Sequence, residues 1–113
     1  MILDSSRDKL KIYIVMKILN KKIISAYANA ILELISNGDC TVETTKNIRD
    51  TLFTLKEDWC DVTLEKYAQI GVSLDRAYYI VDYLCTYNEA LNWDSTEYLP
   101  FEHIMIELCV LGE

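Results

Sequence analysis

The sequence predicts an all-α fold: a compact bundle of five to six helices around a central, mostly apolar helix at about residues 22–36, in one domain spanning residues 1–113. One Pro and three Gly suit helices with short connections better than a β-rich chain with many turns. Hydrophobic residues make up 51% of the chain, enough to build a core at this length. Polar and glycine stop signals divide the chain into helix-length segments.

The segment 22–36 is apolar or Tyr except along one narrow line. At 3.6 residues per turn, the polar residues of this segment lie within a sector of roughly 80° around the helix. Such a helix must be buried on several sides, either as the central helix of a bundle or as half of an oligomer contact. We expect Ala28, Ile31 and Leu32 to be buried. The polar line consists of Lys22, Ser25, Asn29, Glu33 and Ser36, and we expect Ser25, Asn29 and Glu33 to mark the exposed edge.

Residues 9–19 fit two interpretations. Their apolar positions alternate as in a strand, but Leu10, Ile14 and Ile18 also lie along one side of a helix. Ser5 followed by Asp8 resembles a capping box, which favours the helix.

The later helices are set by local signals. Gly38 suits the left-handed position after residues 22–36. A surface helix at about 42–58 follows, and then a short helix that Gly71 breaks. We expect further helices at about 73–91 and 100–111. Two apolar seams are predicted, namely Ile48, Leu52, Leu55 and Trp59 on the surface helix, and Ala77, Ile80, Val81, Leu84 and Leu91 on the helix after Gly71.

Tyr79, Tyr83 and Tyr87, spaced by four residues, form a stripe about 100° from the apolar seam of their helix. We call them the tyrosine stripe. Tyr is enriched at interfaces because it buries a large area with little loss of rotamer freedom and keeps a hydroxyl for a partner. One interpretation is packing against a neighbouring helix of the same chain. The other is a partner-binding site.

Few residues are arranged for chemistry. The three glycines are isolated, so no phosphate-binding loop exists, and no nucleophile-elbow motif occurs. The four cysteines contain no close pair that would indicate zinc. His103 and Glu107 lie one helical turn apart, a spacing typical of a surface pair. We therefore expect no enzyme activity, no catalytic or metal-binding residues and no cofactor.

Two segments resemble known families. Residues 63–79 resemble a helix-turn-helix with Gly-Val-Ser at the turn, which implies a transcriptional regulator. Residues 84–111, with a polar loop before a Leu-rich helix, are similar to the last helices of bacterial clamp-loader subunits. In that family these helices form a collar that joins subunits. No AAA+ nucleotide motif occurs here, so the resemblance implies an isolated collar-like domain.

The net charge of −7 sets the expected partners. An acidic protein repels nucleic acid and anionic membranes, so we expect neither as a direct partner. The residues near the start lack the basic and apolar pattern of a secretory signal, so we expect a cytoplasmic protein. The leading hypothesis is a small acidic inhibitor, immunity or adaptor protein that binds another protein, such as a basic, nucleic-acid-binding one. The alternatives are a homodimeric or collar-like assembly domain and a helix-turn-helix regulator.

Overall fold

The computed structural model describes residue 12, residues 15–92 and residues 99–113, and this part of the chain is all-α, as predicted, with no strand. Five helices are present in it: α1 at residues 15–19, α2 at Lys22–Ser36, α3 at Val42–Trp59, α4 at Glu65–Thr86 and α5 at Leu99–Leu111. Within these ranges no helix is long and apolar enough to cross a membrane. The predicted start at Ser5 lies outside the described residues, while residues 15–19 are helix and not strand.

The structure does not show residues 22–36 as the central helix of the bundle. α4 packs against both α3 and α5, whereas α2 packs mainly against α5. The inner seam of α4 is at most 1% exposed and consists of Ile70, Leu74, Ala77, Val81 and Leu84. The apolar composition of α2 indicated burial on several sides, but hydrophobicity alone does not say which helix the others surround.

α2 buries a single seam. This seam contains Ala28 and Ile31, which are buried as predicted, while Leu32 is half-buried. Asn29 and Glu33 are exposed as predicted, but Ser25 is half-buried because its hydroxyl donates to the Cys109 carbonyl at 2.9 Å. The other side of α2 is apolar and exposed; its members are Ile23, Ala26 and Ala30.

Gly71 does not break a helix, which corrects a second prediction. α4 runs without interruption through this residue. A Cβ added at Gly71 would lie 2.8 Å from the backbone oxygen of Trp59, so the missing side chain lets the end of α3 approach α4 closely. The segment 63–79 therefore does not form the corner of a helix-turn-helix.

The signals around α3 act as predicted. Gly38 adopts a left-handed φ of 72°, and the Asp39 N–H donates to the Leu34 carbonyl at 2.9 Å, which closes the end of α2. Thr41 caps α3, since its Oγ1 accepts from the Thr44 N–H at 3.1 Å. These local hydrogen bonds explain why the bounds of α3 could be predicted from sequence.

Candidate protein-binding surface

Tyr79 and Tyr83 lie on the outward side of α4, and Tyr87 directly follows the last residue of that helix. Tyr79, Tyr83 and Tyr87 are 63%, 59% and 59% exposed, so the stripe is on the surface and not in the core. The reason is helical geometry. The inner seam of α4 faces the core, and residues about half a turn away from it must face solvent. The rings of Tyr83 and Tyr87 lie 4.9 Å apart between centroids, so they form one continuous aromatic patch.

The aromatic area extends from α4 onto α3. The Tyr78 ring lies 5.7 Å from that of Tyr79 and 5.5 Å from that of Phe53, which is 47% exposed. We call the tyrosine stripe together with Phe53 and Tyr78 the aromatic surface. Sequence reasoning missed these two residues. For Phe53 the sequence did contain an indication of exposure, because this residue falls outside the apolar seam of α3 on a side that is otherwise polar.

Lys56 fixes the edge of the aromatic surface. Its Nζ lies 5.0 Å from the ring centroid of Phe53 and 5.1 Å from that of Tyr78, within the range of a cation–π contact. The same Nζ lies 3.2 Å from a Glu57 carboxylate oxygen and 3.6 Å from one of Asp75. The hydrogen bond to Glu57 raises the pKa of Lys56, with a further contribution from Asp75. Lys56 thus links α3 to α4 beside the rings.

Charges near the aromatic surface are mostly paired. Arg49 donates to Asp50 at 3.1 Å, and this hydrogen bond raises the pKa of Arg49. Arg76 and Asp82 also lie on α4 beside the stripe, one of each sign. The acidic excess is instead spread over residues 23–113. Residues 23–113 contain sixteen acidic and five basic residues, whereas residues 7–22 contain six basic residues and one acidic.

The residues tested for chemistry do not converge. His103 is exposed on α5, while the Glu107 carboxylate accepts from the buried Ser73 hydroxyl at 3.3 Å. Ser73 also accepts from the Gln69 amide at 3.2 Å, so Glu107 belongs to a polar link between α4 and α5. Across the part of the chain that the structure describes, no three His, Cys, Asp or Glu side chains are grouped to hold a metal ion.

Comparisons with protein-family models, with characterised proteins and with solved structures find no match for this chain. The features that bear on function are therefore those of the aromatic surface itself.

Proposed function

We propose that the protein is a non-enzymatic protein-binding module, of the inhibitor, immunity or adaptor kind, that binds its partner through the tyrosine stripe. The exposure of three regularly spaced Tyr side chains carries this proposal. Large exposed apolar patches on soluble proteins mark interaction sites, and Tyr is among the residues that dominate binding energy at interfaces.

The rigidity of the site supports the same proposal. Tyr79 and Tyr83 stand on a helix whose opposite side is packed in the core, so little backbone entropy is lost on binding. Their rings supply apolar area, and their hydroxyls supply hydrogen bonds at the rim of a contact. A partner with an apolar groove bordered by hydrogen-bonding groups fits this chemistry.

Charge contributes to the rate of association more than to the affinity. The charges beside the stripe nearly balance, so they give a partner of either sign little local attraction. The acidic excess of residues 23–113 acts at longer range and steers a basic protein toward this molecule. We therefore expect the association rate to fall as salt is raised, with a smaller change in the dissociation rate.

The test is capture from the native host with three immobilised proteins: the wild type, Tyr83→Glu and Val110→Glu. Val110 is 63% exposed on α5, away from the aromatic surface, so its variant is a control for adding a charge to an exposed apolar position. We expect a protein that the wild type and Val110→Glu retain and Tyr83→Glu loses. Binding of the purified partner should then weaken at least 10-fold for Tyr83→Glu, about the effect of losing a central aromatic contact.

Two results would contradict the proposal. One is that every protein retained by the wild type is retained equally by Tyr83→Glu and by Tyr79→Glu. The other is that both Tyr variants lose their helical circular dichroism, which would mean that the stripe supports the fold. Because the stripe is exposed, we expect unchanged helical spectra.

A further inference from the structure

A second apolar seam runs along the outside of α1 and α2. Five large side chains on this side are between 53% and 74% exposed, which is unusual for side chains this apolar. They are Ile12, Val15, Met16, Leu19 and Ile23. The buried seam of α2 faces α5, so the fold leaves this outer side to solvent.

The spacing of the outer seam is that of a coiled coil. Its positions are separated alternately by four and three residues, so each two successive steps span seven residues, the length of a heptad. The turn between α1 and α2 is of the 3₁₀ type: Lys21 has φ −58° and ψ −22°, and the N–H groups of Ile23 and Ile24 donate to the carbonyls three residues before them. The exposed side chains of Leu19 and Ile23 lie on either side of this turn. We define the outer seam as Ile12, Met16, Leu19, Ile23, Ala26 and Ala30.

We propose that the outer seam pairs with the outer seam of a second copy of this chain, in antiparallel orientation about a twofold axis near Lys21. This register places Leu19 of each copy against Ile23 of the other. It also places large side chains against small ones at both ends, with Ile12 facing Ala30 and Met16 facing Ala26. Facing pairs of large and small residues fill a helix–helix contact evenly. A parallel pairing would instead set Ala26 and Ala30 against themselves and leave a gap.

The available area fits a weak, reversible dimer. Each of the five large exposed side chains presents on the order of 100 Å² of surface, so the outer seam together with Val15 offers roughly 500 Å² per copy. Two copies then bury roughly 1,000 Å², near the lower end for specific interfaces. A groove of about 320 Å³ beside Met16 and Ile23, lined also by Leu55 and Trp59, adds apolar surface next to the seam. We therefore expect a dimer that forms as the protein is concentrated and dissociates on dilution.

The composition of the outer seam favours a second copy over a membrane surface. Ala26 and Ala30 let two helix backbones approach, but they contribute little to insertion between lipids. Lys17 donates to Asp61 at 2.8 Å, so its charge is already paired within the chain.

Light scattering behind gel filtration gives the first test. The wild type should shift from the 13.1 kDa of one chain toward twice that mass as its concentration rises. Leu19→Glu and Ile23→Glu should each remain monomeric at every concentration, while Val110→Glu and Tyr83→Glu should dimerise as the wild type does. A wild type that stays monomeric, or a dimer that both seam variants retain, would overturn the proposal. So would a wild-type monomer that co-sediments with vesicles containing phosphatidylserine and loses this binding in Leu19→Glu.

Disulfide cross-linking tests the antiparallel register. Cys60 is the exposed thiol among the four cysteines, so the experiment uses a Cys60→Ser background. Leu19→Cys mixed with a tagged Ile23→Cys should form the mixed dimer under mild oxidation, at least five-fold more than either variant forms alone. Equal or greater cross-linking of either variant with itself would show a parallel contact and overturn the proposed arrangement.

The effect of salt distinguishes the dimer contact from the partner-binding site. The two copies of Lys22 lie beside the twofold axis on the same side, so their repulsion weakens the dimer at low salt. The dimer should therefore tighten as salt rises, whereas association at the tyrosine stripe should slow. A dimer that dissociates at high salt would contradict this apolar pairing without affecting the proposed function.

Discussion

Gly71 shows how one residue without a side chain sets the distance between two helices. The neighbour of its missing Cβ is a backbone oxygen, that of Trp59, and not the end of a flexible side chain. A backbone atom can move away only if the helix end moves with it. The contact between α3 and α4 therefore depends on this glycine, and Trp59 remains buried beside it at 5% exposure.

Gly71→Ala should destabilise the protein even though Ala is the better helix former. The gain in helix propensity is about 1 kcal/mol, and backbone overlap of this kind costs about 1–3 kcal/mol. We expect the free energy of unfolding in urea to fall by about 1 kcal/mol, with the helical circular dichroism unchanged. The control is Arg76→Ala on the exposed side of α4, which should change stability by less than about 0.5 kcal/mol. A Gly71→Ala protein more stable than the wild type would show that the end of α3 moves freely.

At the scale of helices, the sequence predicted best what local hydrogen bonds decide. The end of α2 at Gly38 and the start of α3 at about residue 42 were predicted because each is set by hydrogen bonds within a few residues. The predicted helix break at Gly71 was wrong because a glycine can occur either at a helix end or where two helices approach closely. Only the position of Trp59 in space separates these two cases. The spacing of the tyrosine stripe was visible on one helix, but its exposure was left open between internal packing and a partner-binding site. Phe53 joins the stripe from a second helix.

Thr45 connects α3 to the chain that follows α4. Its side chain is fully buried; its hydroxyl donates to the Thr41 carbonyl at 2.8 Å and accepts from the Leu91 N–H at 3.0 Å. Leu91 is also buried, so this N–H has no solvent to replace a lost partner. One hydroxyl therefore holds Leu91 in the described stretch that follows α4.

Thr45→Val should lower the free energy of unfolding by about 1–3 kcal/mol, because it keeps the shape of the side chain but leaves the buried Leu91 N–H without an acceptor. Exchange of the Leu91 amide proton, followed by NMR, should accelerate more than that of the other α3–α4 amides. Thr54→Val is the matched control, since the exposed Thr54 hydroxyl donates only to the Asp50 carbonyl on its own helix. Equal effects of the two substitutions would mean that Thr45 does not hold this segment.

At the scale of the whole molecule, α3 packs on α4, α4 on α5 and α5 on α2, and thiols are buried in several parts of this arrangement. Cys40 and Cys85 are 9% and 8% exposed, and Cys109 is half-buried. Burial raises the pKa of all three thiols above their ordinary value of 9.0, because the thiolate would be poorly solvated there. Burial likewise raises the pKa of Tyr27. These groups lie in α2, α4, α5 and the α2–α3 connection, so they report on the whole fold.

The protein should lose stability as the pH rises from about 8 to 10. In the unfolded chain these thiols ionise near their ordinary pKa of 9.0, whereas in the folded protein they stay protonated to higher pH. The unfolded state therefore releases protons first and is stabilised relative to the folded state. The stability that the protonated, buried thiols contribute is fully present below the thiol pKa of the unfolded chain. It is lost as the pH rises through the thiol pKa of the folded protein. Urea unfolding at several pH values should show a declining free energy of unfolding across this range.

Cys85→Ala should flatten the decline, while the exposed Cys60→Ser should not. A decline of the same slope in both variants would mean that the buried thiol at residue 85 does not contribute to it.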